Sequence, residues 1–307
     1  MKNILVTGGA GFIGSNLVLA LQRKYPEARI VVVDDFRSGD FKNLETYRGD
    51  FVSADVSRLD LSEKFSDLTF DAIFHEASIT DTTIHDQQLQ VHDNVEGFRR
   101  VLDYAVIHQT PVVYASSAAT YGTERTLMQE DMTPAPANIY AFSKVQLDNL
   151  ARAYAQNNLA WKIVGVRYFN VYGMNEAHKL AAASMIYQLY CQMIAGKRPR
   201  VFVGGEQKRD FVSVKDVVDL TIRAVEAPSS GVYNCGSGVP FSFNEVIEAL
   251  NEALGTALEP EYIENPYSFY QPHTEADMTR TQRDLGFSPT WQPREGIADY
   301  VRSLQGA

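Results

Sequence analysis

Tyr140 and Lys144 stand four residues apart in a stretch that reads as a long helix, so a phenol and an ammonium share one helical face. A free phenol ionises near pH 10 and is a poor base at neutrality. A neighbouring ammonium can lower that value and make Tyr140 a usable general acid or base. Ser117 lies 23 residues earlier, at the end of an apolar run inside the segment Tyr114–Gly122. A hydroxyl at such a strand end can hold a substrate alcohol against Tyr140. Each residue taken alone is ordinary; the chemistry depends on what positions them together.

The strongest positioning signal is near the start. An apolar run ending at Thr7 meets Gly8, Gly9, Gly11 and Gly14, and Phe12, Ile13, Leu17, Val18 and Leu21 follow with helical period. Strand, tight turn and helix in that order bring backbone N–H groups and a helix N-terminus to a pyrophosphate. A second strand ends in Asp34, twenty residues past Gly14, where an acid binding the adenosine ribose is expected. With a dinucleotide in that loop, Lys144 can also hold the ribose on its nicotinamide side.

The rest of the first half alternates. Strands are predicted at residues 3–7, 29–34, 51–54, 72–75 and 111–116, and helices at 12–24, 59–68 and 91–108. A helix at 140–156 and a strand at 162–168 follow. Strands apolar nearly throughout, separated by helices, predict an α/β fold: a Rossmann-type doubly wound parallel sheet covered on both faces. Beyond Gly173 the order becomes irregular, with a helix at 181–195, strands at 200–203, 210–214 and 232–235, and helices at 215–226 and 294–304. Ser242 and Glu245 form a capping box before a helix reaching Leu254. The expected partition is an NAD(P)-binding domain of residues 1–173, with 210–235 returning to its sheet, and a smaller α/β substrate cap of residues 174–209 and 236–307.

Composition narrows the function classes. A net charge of −10 argues against nucleic acid or an anionic membrane as partner. Cys191 and Cys235 have no metal spacing and fit a reducing compartment. The six histidines form no HxxxH or HxH set, so no metal site is expected. There is no secretory leader pattern and no apolar run of about 18 residues, which places the chain in the cytoplasm.

These motifs together resemble the extended short-chain dehydrogenase/reductase family of nucleotide-sugar-modifying enzymes, over nearly the whole chain. Gly8, Gly11 and Gly14 match its glycine triplet, Asp55-Val56 its adenine-side pair, and Ser117, Tyr140 and Lys144 its catalytic trio. Residues 167–173 and 209–212 match two further family segments. Narrower features look like the ADP-heptose 6-epimerases within it: residues 74–78 with Thr82-Thr83, the unbroken 114–122 segment, His178-Lys179, residues 208–210, and Tyr270-Gln271 with Thr274. That resemblance implies inversion at C6″ of an ADP-heptose, a lipopolysaccharide precursor, through a ketone, with Tyr140 and Lys179 as two acid/base groups. Dehydratases of the family carry an Asp-Glu pair where this chain has Ala118-Ala119, so elimination is not expected.

The resemblance further implies cofactor contacts by Phe12, Ile13, Asp34, Asp35, Arg37, Lys42, Glu76, Ala77, Ser78, Thr80, Asp93, Asn94, Val171 and Lys179. Asp93 departs from the family pattern, which has Asn there. Asp34 alone reads as NAD. Arg37 and Lys42 in the same loop could neutralise a 2′-phosphate, and the heptose epimerases use NADP, so NADP is expected with NAD as the alternative. On the substrate side the resemblance points to Ser117, Asn170, Ala181, Gln188, Phe202, Arg209 and Tyr270. Ala181 stands where the family has a serine, and the Arg209 guanidinium suits a diphosphate. The chain is expected to form a homo-oligomer, a pentamer being described for the heptose epimerases. The rivals are a UDP-hexose 4-epimerase using NAD and, more remotely, a non-catalytic dinucleotide sensor.

Overall fold

The computed structural model describes residues 1–80, 86–123, 127–265 and 271–306. In chain order the first half runs β1 (Asn3–Thr7), α1 (Phe12–Lys24), β2 (Arg29–Asp34), β3 (Asp50–Ser53), α2 (Leu61–Lys64), β4 (Ala72–His75), α3 (Gln87–Ala105), β5 (Val112–Ser117), β6 (Leu127–Met128), α4 (Ile139–Asn157) and β7 (Ile163–Tyr168). The second half runs β8 (Asn170–Tyr172), α5 (Met185–Ile194), β9 (Arg200–Phe202), β10 (Lys208–Ser213), α6 (Val214–Arg223), β11 (Gly231–Cys235), β12 (Pro240–Ser242), α7 (Phe243–Leu254), β13 (Glu261–Ile263), β14 (Glu275–Ala276), α8 (Thr279–Leu285) and α9 (Pro293–Gln305).

Seven strands form one parallel sheet in the order β11-β7-β5-β4-β1-β2-β3. Successive side chains leave a strand on opposite faces. Ile4 and Val6 accordingly pack with Val32, Phe74 and the α1 residues Leu17, Val18 and Leu21. Leu5, Val31 and Ile73 pack on the other face against Phe98, Val101 and Leu102 of α3 and Leu147 of α4. Burial on both faces is why these strands read as unbroken apolar runs. β1 has β2 on one side and β4 on the other, so strand order reverses there. A crevice opens at such a point, beyond the carboxyl ends of the strands.

A third apolar cluster, including Tyr172, Ile186, Leu189, Phe211, Phe243, Val246 and Ile297, forms the core of the second half. β10 pairs with β8 and β12 in a separate three-stranded sheet. The expected return to the large sheet between 210 and 235 is therefore made by β11 alone. Two predicted helices are shorter than expected. The 59–68 segment keeps only α2, capped by Asp60, before Ser66-Asp67 turns the chain. The 181–195 segment becomes helical only after Ser184, whose hydroxyl accepts from Tyr187 N–H. The preceding turn at Ala177–Ala182 breaks at Leu180, which sits at φ 51°.

Candidate active site

An open cleft of about 190 Å³ lies along the carboxyl ends of β1, β2, β4 and β5. The turn after β1 forms its floor. A Cβ on Gly14 would sit 2.0 Å from Gly8 O, and one on Gly8 would sit 2.4 Å from Ala77 N. These two glycines let the turn and the helix pack onto the strand ends. Gly11 serves differently. A Cβ there would meet only Gly8 O, at 3.3 Å, and Gly11 caps α1 without any side-chain hydrogen bond. The first-turn N–H groups of α1 are left facing the cleft, which is what a pyrophosphate requires. The buried hydroxyls of Ser78 and Ser116 also line the cleft and have no hydrogen-bond partner among the described residues. Unpaired N–H groups, orphaned hydroxyls and Asp34 at the end of β2 together fit a nicotinamide dinucleotide.

Asp34 is fixed by its backbone neighbours. One carboxylate oxygen accepts from Ala10 N–H at 2.9 Å and the other from Phe36 N–H at 2.8 Å. Burial pushes its pKa up despite these bonds. Arg37 does not stand free in the loop. Its guanidinium contacts Asp35 at 2.9 Å and Asp55 at 3.0 Å, and makes a shorter bond to Asp93. Asn94, one residue on, braces three elements. It accepts from Ile79 N–H, donates to Ile79 O, and donates to the Ser143 hydroxyl of α4.

Asn138 caps α4 by accepting from Ala141 N–H at 2.8 Å, which places Tyr140 in the first turn. The Ser117 hydroxyl accepts from Ala119 N–H at 3.1 Å and stands near enough to Tyr140 to favour its ionised form. One turn further along α4, Lys144 is buried and donates to Ala115 O at 2.8 Å, with its Nζ 5.7 Å from the Tyr140 ring centroid. The expectation that Lys144 lowers the phenol pKa needs correction. Burial raises Tyr140, the nearby Glu76 carboxylate adds to that, and the Ser117 hydroxyl opposes it. Lys144 is itself pushed down to about 8 by burial, against the pull of Glu76 and Asp148. One of its three N–H donors goes to Ala115 O, and the ammonium is partly desolvated. Glu76, its Oε1 bonded to the Tyr168 hydroxyl at 2.9 Å, is raised by burial to about 7.

Lys179 reaches the cleft from the turn after β8. Its Nζ lies 5.5 Å from the Phe12 ring centroid, and burial lowers its pKa against the pull of Glu176. Glu176 holds this turn in place. It accepts from Gly173 N–H at 3.0 Å, from Ser184 N–H at 2.6 Å and from the Ser184 hydroxyl at 2.9 Å.

The cleft thus brings together Gly8, Gly11, Phe12, Ile13, Gly14, Asp34, Asp35, Arg37, Asp55, Val56, Glu76, Ala77, Ser78, Thr80, Asp93, Asn94, Tyr140, Lys144 and Lys179. Lys42 lies on an exposed turn away from it, with its N–H bonded to Asp40. Val171 and Asn170 are on β8, Ala181 on the turn carrying Lys179, Phe202 on β9 and Arg209 on β10, all outside the cleft lining. Gln188 donates to Ala181 O and Ala183 O and so ties that turn to α5. Arg209 donates to Lys208 O, with its guanidinium 5.9 Å from the Phe243 ring centroid. Tyr270, Thr82 and Thr83 lie outside the described residues. The sequence reading missed Ser116, Tyr168, Ile79 and Ser38 as lining residues. The rule that ligands sit beyond strand carboxyl ends could have found Ser116 on β5 and Tyr168 on β7.

This glycine-floored crevice, with Tyr140 and Lys144 on its wall and Ser117 next to Tyr140 but outside the lining, defines an oxidoreductive site of the dehydrogenase type. The sequence pattern of the NAD dependent epimerase/dehydratase family matches residues 4–236, and the chain belongs to that family of nucleotide-sugar enzymes. It is similar to ADP-L-glycero-D-manno-heptose-6-epimerase of Helicobacter pylori, at 38% identity and a TM-score of 0.93, covering 100% of this chain and 97% of the other. It is also similar to UDP-glucose 4-epimerase of Thermotoga maritima, solved with UDP-glucose, at 26% identity and a TM-score of 0.91 over 99% of each chain. A third likeness is UDP-glucuronic acid 4-epimerase of Bacillus cereus, solved with a fluorinated substrate analogue and NAD. There the identity is 27% and the TM-score 0.85, over 99% of this chain and 100% of that one.

Proposed function

We propose that this protein interconverts ADP-D-glycero-β-D-manno-heptose and ADP-L-glycero-β-D-manno-heptose by inverting C6″. The observation that carries the reading is the placement of Tyr140 and Lys179 in one cleft, on walls contributed by α4 and by the turn after β8. The likeness to the Helicobacter pylori enzyme supports the choice of sugar.

Epimerisation removes a hydride from one face of C6″ and returns it to the other, with a ketone between. The bound nicotinamide dinucleotide supplies the hydride acceptor and donor and ends each cycle in its starting redox state. Lys179, its pKa lowered by burial, takes the proton of the C6″ hydroxyl as the C–H bond breaks. After the ketone turns in the cleft its oxygen faces Tyr140, which burial keeps protonated and which gives its proton to the new alkoxide. In the reverse direction the two residues exchange roles. Lys144 binds the nicotinamide ribose and keeps a positive charge beside Tyr140. Ala118 and Ala119 offer no acid to expel water, so the ketone is reduced and not dehydrated.

We place the reaction in the cytoplasm, in a homo-oligomer. Both cysteines are free thiols, and no helix among the described residues is long and apolar enough to cross a membrane. We also propose that residues 174–209 and 236–307 act as the substrate cap. The test is proton NMR of ADP-D-glycero-β-D-manno-heptose with the purified enzyme and no added cofactor, and UDP-galactose in parallel. Growth of the L-glycero epimer to an equilibrium mixture supports the proposal. Turnover of UDP-galactose alone moves the assignment to a 4-epimerase, and turnover of neither, with NAD and NADP supplied, refutes both.

A further inference from the structure

Four carboxylates line the end of the cleft where β2 and β3 stop: Asp34, Asp35, Asp55 and Asp93. One guanidinium, Arg37, faces them. Its Nη2 is 2.9 Å from Asp35 and 3.0 Å from Asp55, and its Nη1 binds Asp93 more closely still. Asp93 reaches in from α3 and its side chain is only 6% exposed, so this contact is shielded from solvent. Each partner is itself held. Asp55 accepts from the Ser57 N–H at 2.9 Å and hydroxyl at 2.8 Å, and Asp93 faces His92 Nδ1 at 3.1 Å. Arg58 approaches Asp55 at 3.5 Å from the solvent side. Of the other basic residues of the cleft lining, Lys144 bonds Ala115 O and Lys179 lies over the Phe12 ring, while His178, in contact with Asn43, is the one within electrostatic reach of Asp34. Lys42 is outside the lining.

We infer that Asp93, by drawing Arg37 into this carboxylate clamp, makes the cleft select the dinucleotide with a free ribose 2′-hydroxyl over its 2′-phosphorylated form. The inference rests on reading the cleft as a dinucleotide site. A hydroxyl at this place needs an acceptor, and Asp34 offers one: a carboxylate has about four lone-pair sites, and its two backbone donors fill only part of them. A phosphate brings further negative charge among four carboxylates. To meet it, Arg37 must leave three bonded partners, one of them shielded from solvent, and leave those charges uncompensated. The NADP expectation assigned Arg37 to the phosphate. In the folded protein Arg37 is already neutralising aspartates.

The experiment measures dissociation constants of NAD and NADP by calorimetric titration of the protein stripped of bound nucleotide, for wild type and Asp93→Asn. Asn keeps the shape and one acceptor at position 93 and removes the charge. NAD is expected to bind wild type at least tenfold more tightly than NADP. In Asp93→Asn the ratio of NADP to NAD affinity should rise at least fivefold, in a protein that still melts cooperatively. NADP binding as tightly as NAD to wild type overturns the inference, and that measurement needs no variant. A wild-type preference for NAD that Asp93→Asn leaves intact overturns the role of Asp93. Failure of wild type to bind either dinucleotide removes the dinucleotide reading itself.

Discussion

The two kinds of glycine in the β1–α1 turn should separate stability from binding. In Gly14→Ala the new methyl carbon falls 2.0 Å from Gly8 O, 2.8 Å from Gly8 C and 3.0 Å from Gly9 Cα. These are backbone atoms of a turn packed against Ala77 and Val32, so no side chain can swing away. Contact at 2.0 Å lies roughly 1.5 Å inside an ordinary van der Waals separation. Overpacking of this kind costs about 3 kcal/mol or more. The better helix propensity of alanine returns at most about 1 kcal/mol. For 307 residues the unfolding entropy is about 0.6 kcal/mol/K, so a net loss of about 2 kcal/mol lowers Tm by about 3 °C. Gly11→Ala meets only Gly8 O at 3.3 Å, and its φ of −72° suits any residue. The cost is that of a poorer cap, about 1 kcal/mol.

Binding should run the other way. The Gly11→Ala methyl stands in front of the α1 N–H groups, and losing one charge-assisted hydrogen bond there costs about 1.5–3 kcal/mol, a 10- to 100-fold rise in Kd for the dinucleotide. The assay pairs melting curves of nucleotide-free protein with calorimetric titration. Bound nucleotide would itself raise Tm and blur the comparison. If Gly14→Ala melted with wild type and Gly11→Ala bound the dinucleotide as wild type does, the division of labour argued from these distances would be wrong.

Other predictions concern the walls of the cleft. Tyr140→Phe should cut epimerisation by about 10²- to 10⁴-fold, the usual worth of a general acid or base, with Tm unchanged. Lys179→Met should lose a similar factor, and near-wild-type NMR turnover in either variant would remove that residue from the mechanism. Asp148→Ala strands the Arg167 side chain, 3% exposed, and the Tyr114 hydroxyl behind α4. A buried charge without its partner costs about 3–5 kcal/mol, a drop in Tm of about 5–8 °C, and a melt within 1 °C of wild type, against that estimate, would contradict this account. Folding raises the Glu76 carboxyl from 4.5 to about 7, so the native state keeps a proton that the unfolded chain has released between those values. That contribution is complete below pH 4.5 and is lost as pH climbs through 7. Glu76→Gln should therefore gain on wild type with rising pH, by at most about 3 kcal/mol, in urea titrations of nucleotide-free protein; a constant difference from pH 4 to 8 would deny the shift.

The sequence made the dinucleotide half legible because burial on both faces writes itself as apolar runs. β1, β2 and β4 have the predicted bounds, and α1 begins and ends where the glycines and the Arg23-Lys24 pair place it. The second half was harder for a physical reason. β8, β9, β12, β13 and β14 are two or three residues long, too short to show a period of two. β10 carried a strand signal, but nothing local says which sheet a strand joins. Electrostatics was the least legible. Tyr140-x-x-x-Lys144 announces a pair, yet its ionisation is set by Glu76 on β4's following turn and by burial, neither of which spacing encodes. Arg37 shows the same limit. Its type suggested an anion site, while its partners come from Asp55 and from Asp93 on α3.

This asymmetry bears on what remains to be decided about the reaction. The cleft floor and the Tyr140–Lys144 wall suit oxidation and reduction as such, and they would serve a 4-epimerase as well as a 6-epimerase. What distinguishes the two is which carbon is presented and whether a second proton-transfer group waits on the opposite face. The group proposed for that place is Lys179, carried on a turn with Leu180 at φ 51° and pinned by Glu176 to Gly173 and Ser184. A non-glycine residue in that conformation persists only when its surroundings fix it, and the buried Glu176 carboxylate is what fixes it here. Glu176→Gln keeps the side chain's shape but removes the charge from all three bonds and replaces one acceptor oxygen by a donor. It should lower kcat for epimerisation by about 10-fold or more, on the general cost of displacing a catalytic group, with dinucleotide affinity unchanged. Equal loss of both would show that the turn supports the whole cleft and does not specifically position Lys179.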